Sequence, residues 1–152
     1  MAATLFIDVD GVFHRPGTVS FNEDGTVSGE GAFQWLPHLL AVLEDFPDVR
    51  VLVHSSWRMS WETDEQLKAV LPPALASRVA GATPRELASR FASIQAYCEC
   101  EQVEHFVILD DEPSAYPVGL EQLVVCDPQA GLSDTAVQER LRRALARALP
   151  AV

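Results

Sequence analysis

The chain has 152 residues, a formal net charge of −11, 48% hydrophobic residues and 22% charged residues. This length and balance suit one globular domain with a real core and exclude a disordered or membrane-embedded chain, while the acidic surface repels polyphosphates and argues against sequence-indifferent nucleic-acid binding. No apolar run reaches the ~20 residues of a membrane-crossing helix; the N-terminus lacks the basic region of a signal peptide; and Cys98, Cys100 and Cys126 suggest neither a disulfide framework nor a zinc site, which fits a reducing cytoplasm.

The first element predicted is a buried parallel strand over Thr4–Val9, short, apolar on both faces and stopped by Asp8-Val9-Asp10-Gly11. Two β-prone runs, Thr18–Phe21 and Thr26–Ser28, flank Asn22-Glu-Asp-Gly25 and predict a small hairpin. Phe33, Leu36, Leu39, Leu40 and Leu43 recur at helical spacing, so Phe33–Glu44 reads as a helix with Pro37 near its start. Val49–His54 reads as a second buried strand running into Ser55-Ser56-Trp57-Arg58. A helix over Thr63–Leu71 stops at Pro72-Pro73, and Leu75–Val79 reads as one more helical turn before Gly81. A polar stretch starts at Thr83-Pro84. Arg90–Glu99 is predicted helical, with Phe91, Ile94 and Tyr97 on one side. Phe106–Leu109 is a third strand ending in Asp110-Asp111-Glu112-Pro113, Leu123–Cys126 a fourth, and Asp134–Leu149 a long helix capped by Ser133 or Asp134. Strands alternating with helices predict an α/β fold, a Rossmann-like three-layer sandwich with a mainly parallel sheet, as one domain over residues 1–152.

Three of the four strands end in groups suited to phosphate and metal chemistry: Asp8 and Asp10, Ser55-Ser56, and Asp110-Asp111. The carboxyl ends of parallel strands share one edge, and ligands bind at that edge. Four carboxylates gathered there repel one another unless a hard cation offsets their charge, and magnesium, with its preference for oxygen ligands, suits such a set. The period of two along an extended segment lets Asp8 and Asp10 face one crevice while Val9 packs in the core. Gly11 allows a tight turn behind them.

Asp8-Val9-Asp10-Gly11-Val12 after an apolar strand resembles the first motif of the haloacid dehalogenase-like (HAD) superfamily of phosphotransferases. Ser55 after Val51-Leu-Val-His resembles the second, Arg90 at a helix start the third, and Asp110-Asp111 after Val107-Ile-Leu the fourth. More narrowly, Ser55-Ser-Trp-Arg58, Thr83-Pro84, Asp110-Asp-Glu112 and Gly131-Leu-Ser133 resemble a group of small bacterial HAD proteins whose relatives occur as the phosphatase module of RNA-repair enzymes. The resemblance implies that Asp8 attacks phosphorus and that Asp10, starting protonated beside the Asp8 and Asp110 charges, serves as acid and then base. It implies magnesium held by Asp8, the Asp10 backbone carbonyl and either Asp110 or Asp111, with Asp111 favoured. It also implies a phosphate-binding set of Ser55, Arg90 and Gly11, with Arg85 or Arg58 as alternatives for the basic role.

Plainer roles stand beside these. Ser56 is expected to cap the helix after Ser55, Trp57 and Trp61 to pack rather than stack on a base, His54 to be a strand residue, and the three cysteines to be small core residues. His14 and Arg15 fit a surface role as well as substrate contact. The spacing between the motifs leaves room for a hairpin flap and little or no cap, hence an open crevice. The expected partner is a phosphorylated substrate, a small molecule or a nucleic-acid end. The leading function is a phosphomonoesterase; a non-catalytic binding module and a phosphotransferase to a non-water acceptor are the alternatives.

Overall fold

A computed structural model describes residues 2–24, 26–85 and 89–149. In chain order the elements are β1 (Thr4–Ile7), hairpin strands β2 (Ser20–Phe21) and β3 (Val27–Ser28), α1 (Leu36–Glu44), β4 (Arg50–Val53), α2 (Asp64–Val70), α3 (Pro73–Ala76), β5 (Val79–Ala82), α4 (Arg90–Cys100), β6 (Phe106–Asp110), β7 (Leu123–Val125) and α5 (Thr135–Ala148). Short 3-10 turns cover Ser56–Ser60, Pro113–Ala115 and Gly131–Ser133.

Strands β5, β4, β1, β6 and β7 lie in that order in one sheet, every pair parallel. Period-two alternation sorts the side chains of the central strands into two cores. Leu5, Ile7, Val51, Val53, Val107 and Leu109 pack on the face covered by α1 and α5, whose Leu39, Leu43, Val137, Leu141 and Leu145 are buried there. Phe6, Leu52 and Ile108 pack on the other face with Ile94 of α4 and Tyr116. This is the expected three-layer α/β sandwich. Asp134 is the cap of α5, its carboxylate accepting the Ala136 N–H at 2.9 Å.

The sheet order contains the feature that makes a site. From β1 the chain moves to β4 and then β5 on one side, and returns to β6 and β7 on the other. Neighbours β1 and β6 therefore send their connections in opposite directions, which opens a crevice at their carboxyl ends. Between β1 and α1 the described residues add only the two-stranded hairpin β2–β3, so the fold carries little cap. Gly25, expected at its turn, lies outside the described residues. Among the described residues no helix is long and apolar enough to cross a membrane.

Two expectations are corrected. Val79, read as the end of a helical turn, starts the edge strand β5, so the sheet has five strands rather than four. Val-Ala-Gly-Ala is short and weak in β-propensity, and Gly81 is there for space: a Cβ would lie 2.7 Å from the Asp64 carboxylate, which accepts the Ala82 N–H at 3.2 Å. The helix expected from Phe33 begins at Leu36 instead. Phe33 has φ +56°, outside helical geometry, and its amide is turned toward His14.

Candidate active site

The register of the central strands assembles the acidic cluster. Ile7 pairs with Leu109 on one side and Val53 on the other, which brings the next residues, Asp8, Asp110 and His54, to one level. The Asp8 amide donates to the Leu109 carbonyl at 3.0 Å and the His54 amide to the Ile7 carbonyl at 2.7 Å. By alternation all three side chains continue the face of Phe6, Ile108 and Leu52, beneath the start of α4. Carboxylate oxygens of Asp8, Asp110 and Asp111 lie within 4.8 Å of one another. Gly11 makes room for the third, since a Cβ at its φ of +80° would stand 2.2 Å from Asp111 Oδ2.

Arg90, the first residue of α4, reaches into this cluster. Its Nη1 donates to both Asp110 oxygens, at 3.0 and 2.8 Å, and lies 3.6 Å from Asp8 Oδ2. The buried Tyr116 hydroxyl donates to Asp110 Oδ2 at 2.5 Å, and the Glu112 N–H to Asp110 Oδ1 at 3.0 Å. Burial works to raise the Asp110 pKa, but the Tyr116 hydrogen bond and then Arg90 outweigh it and leave it below the usual carboxylate value. Asp8 goes the other way: burial, then the Asp110 charge, then Asp111 push its pKa well up, only partly opposed by Arg90. Burial also raises Asp111. Asp8 and Asp111 are thus short of positive charge, while Arg90 is held more firmly protonated by Asp110 and Asp8 despite its own burial.

Asp10 stands apart from this cluster. Its Oδ1 lies 2.8 Å from His14 Nε2 and its Oδ2 accepts the Trp57 Nε1–H at 2.9 Å. Burial works to raise its pKa, yet the His14 and Trp57 bonds win and lower it. The expectation of a protonated Asp10 is therefore corrected. The negative charges thought to favour its proton face Arg90, and Asp10 faces two donors instead. His14 is fully buried, not a surface residue, and its Nδ1 accepts the Phe33 N–H at 3.2 Å. Phe33 keeps a left-handed backbone that costs a non-glycine residue about 1–2 kcal/mol. Its ring packs against Phe13, His14 and Trp57.

Other candidates fall as follows. Ser55, buried, is itself the cap: its Oγ accepts the Trp57 N–H at 3.1 Å, a role expected of Ser56. The extended backbone of Ser55 aims its side chain at the first turn, whereas Ser56 already lies inside it. Capping uses a lone pair and leaves the hydroxyl hydrogen to donate. The Gly11 amide is taken by the His14 carbonyl at 2.8 Å, because the left-handed turn points it inward, so Gly11 offers the crevice space and not a phosphate donor. Arg58 is buried and donates to the Ser55 carbonyl at 2.6 Å; Arg85 donates to the Arg58 carbonyl at 2.7 Å and pairs with Asp64 at 2.9 Å. Both hold the loops in place, and Arg90 alone of the three contacts the cluster carboxylates. Arg15 is exposed and bonds the Gln129 carbonyl at 3.2 Å. Cys126 is buried as expected, but Cys98 is only half-buried and Cys100 is exposed at the end of α4.

Sequence reasoning overlooked Tyr116 altogether and gave His54 and Trp57 packing roles only. Tyr116 carries no motif; a tyrosine shortly after an acidic strand end is the sole hint. His54 is buried, bonds Thr83 Oγ1 at 2.8 Å through Nδ1, and among the described residues has no partner for Nε2. Burial first, then the nearby Arg58, lowers its pKa to about 3, so it is neutral.

The residues present fit a divalent cation. The donors are all oxygen, two of the three carboxylates are buried, and one arginine does not balance their charge. A family model described as the HAD domain in Swiss Army Knife RNA repair proteins matches residues 4–137. No curated protein and no solved structure matches the chain. The match takes in every strand of the sheet and each of the carboxylates described above, so the chain belongs to the family of HAD domains in Swiss Army Knife RNA repair proteins.

Proposed function

We propose that the protein is a magnesium-dependent phosphomonoesterase working through an aspartyl-phosphate on Asp8. The observation that carries this reading is the convergence of Asp8, Asp110 and Asp111 with Arg90 at the switch point between β1 and β6. Asp8 is the nucleophile, held by the Val9 N–H on Oδ1 at 2.8 Å with Oδ2 directed toward Arg90. Magnesium, bound by Asp8, the Asp10 backbone carbonyl and Asp111 with Asp110 behind them, would supply the charge that lets a carboxylate meet a phosphate.

Asp8 attacks phosphorus in line, and the P–O bond to the leaving group breaks as the P–O bond to Asp8 forms. Ser55 donates its hydroxyl hydrogen to a non-transferring oxygen, and Arg90 stabilises the charge spread over the phosphoryl group. Asp10, ionised between its two donors, first takes up a proton from solvent as the phosphate arrives and passes it to the leaving oxygen, then takes a proton from the water that hydrolyses the intermediate. Asp110, bound to Arg90 and Tyr116, fixes the arginine rather than holding the metal directly, which supports Asp111 as the ligand. An open crevice with a small flap suits phosphate on a protruding group, and a nucleic-acid end is the substrate the family description favours.

Incubation with p-nitrophenyl phosphate, with and without magnesium, beside an Asp8→Asn variant tests the reading. Turnover that needs both magnesium and Asp8 supports it. Turnover surviving in Asp8→Asn sinks the mechanism, and no turnover by the wild type on any phosphate ester favours a binding module.

A further inference from the structure

We infer that His14 and Trp57 are positioning residues for Asp10, and that the strained Phe33 amide sets His14 in the tautomer this task needs. The catalytic arm of this inference rests on the proposed phosphatase reading; the structural arm does not.

The Phe33 N–H points at His14 Nδ1 from 3.2 Å, so that nitrogen must offer a lone pair. A neutral imidazole carries one proton, which leaves it on Nε2, and Nε2 donates to Asp10 Oδ1 at 2.8 Å. Trp57 Nε1 can only donate, and it does so to Oδ2 at 2.9 Å. Two bonds from two rings, one to each oxygen, fix both side-chain torsions of Asp10. Neither ring can yield, because His14 is 0% exposed and Trp57 2% exposed. The Asp10 side chain they hold is 38% exposed, so without them it would sample several rotamers in water.

The three anchors come from three places in the chain: the loop after β1, the turn after β4, and the approach to α1. The Phe33 ring helps bury His14, but packing a ring does not require a left-handed backbone; that backbone is what turns the Phe33 N–H onto Nδ1. Together they aim one carboxylate. Each oxygen keeps a further lone pair to receive a proton. In the second half-reaction a water oxygen bonds phosphorus, the P–O bond to Asp8 breaks, and the water's proton passes to Asp10. The products are inorganic phosphate and the free Asp8 carboxylate. A misaimed Asp10 slows that step while leaving phosphate binding, which it does not make, unchanged.

Nitrogen-15 NMR of the histidine rings in the whole protein reads the tautomer without any turnover. The expected result is a neutral His14 with its proton on Nε2; a proton on Nδ1 overturns the inference. In steady-state kinetics with p-nitrophenyl phosphate and magnesium, His14→Leu is expected to lower kcat at least about tenfold with KM unchanged or lowered, never raised, because the intermediate accumulates as its hydrolysis slows. His14→Gln, whose amide can donate from about the same place, recovers most of kcat. Trp57→Phe, which removes only the N–H from a retained ring, lowers kcat in the same way and covers the case in which His14→Leu fails to fold. A folded His14→Leu with wild-type kcat, or a loss that falls on KM instead, overturns the positioning role. A wild type inert toward all phosphate esters sinks the proposed function, and the tautomer then decides the structural arm alone.

Discussion

Replacing Asp8 by Asn removes the nucleophile, and it should stabilise the metal-free protein. Asp8 sits 4% exposed with two carboxylates whose oxygens lie within 4.8 Å and one guanidinium at 3.6 Å. At an effective dielectric constant near 20, each neighbouring carboxylate repels Asp8 by about 3.5 kcal/mol and Arg90 attracts it by about 4.5. The ionised carboxylate therefore costs the fold about 2 kcal/mol before its own desolvation is counted. Asparagine keeps an oxygen for the Val9 N–H and can donate from its amide to Asp110 or Asp111. Urea unfolding with EDTA, at about pH 8 to favour the ionised carboxylates, should show Asp8→Asn more stable by about 2 kcal/mol, or roughly 4–8 °C in Tm. Magnesium at about a hundred times its Kd should add about 2.7 kcal/mol to the wild type and far less to the variant, which reverses the order. If Asp8→Asn unfolds more readily than the wild type in EDTA, Asp8 is not held against uncompensated charge, and the argument for a cation fails.

Three further outcomes follow from particular contacts. Gly11→Ala should weaken magnesium binding about tenfold by calorimetry, because its Cβ would force Asp111 to rotate away, and add about 1–2 kcal/mol of backbone strain; unchanged affinity contradicts Asp111 as a ligand. Tyr116→Phe removes one donor to the buried Asp110 carboxylate, leaving it Arg90 and the Glu112 N–H, and should cost about 1.5–3 kcal/mol in urea unfolding, whereas a cost near zero means the bond contributes nothing. His54 has a folded pKa of about 3 against an ordinary 6.5, so the unfolded chain binds the extra proton between these values. The stability it contributes is complete above 6.5 and is lost as pH falls toward 3, by about 1.4 kcal/mol per unit within that window. The raised Asp8 and Asp111 carboxyls act with the opposite sign, so the test is the difference between wild type and His54→Gln. Stability of the variant should fall less steeply from about pH 6.5 to 4.5, and equal slopes contradict a neutral buried His54.

Much of this architecture was legible because its signals are local. A buried strand that stops at a carboxylate announces both an element and a site, and β1 and β6 each do this; β4, stopping at His54-Ser55, does so with a hydroxyl. The five-strand count was not legible, since Gly81 in β5 reads as a breaker until the Asp64 carboxylate is seen packed against it. The start of α1 was hidden for a similar reason: Phe33 continues the apolar helical spacing, and only its bond to His14 turns the backbone away. The carboxylates could be assigned to one edge from the strand ends that carry them, and Arg90 only through the family resemblance. What each touches could not, because Tyr116 on Asp110 and His14 and Trp57 on Asp10 are meetings of separate segments. Proximity in sequence also misled. Asp10 follows Asp8 by two residues, yet only Asp8 belongs to the cluster, since beyond the last strand residue the chain turns at Gly11 and the alternation of faces lapses.

The most direct measurement is to find the phosphate on the protein. The enzyme is mixed with a phosphate ester and magnesium, quenched in acid within the first turnovers, digested and sequenced by mass spectrometry. A phosphoryl group on Asp8, absent from Asp8→Asn and from samples lacking magnesium, is the predicted result. Turnover accompanied by phosphate on another residue, or by none at all while Asp8→Asn remains active, would contradict it.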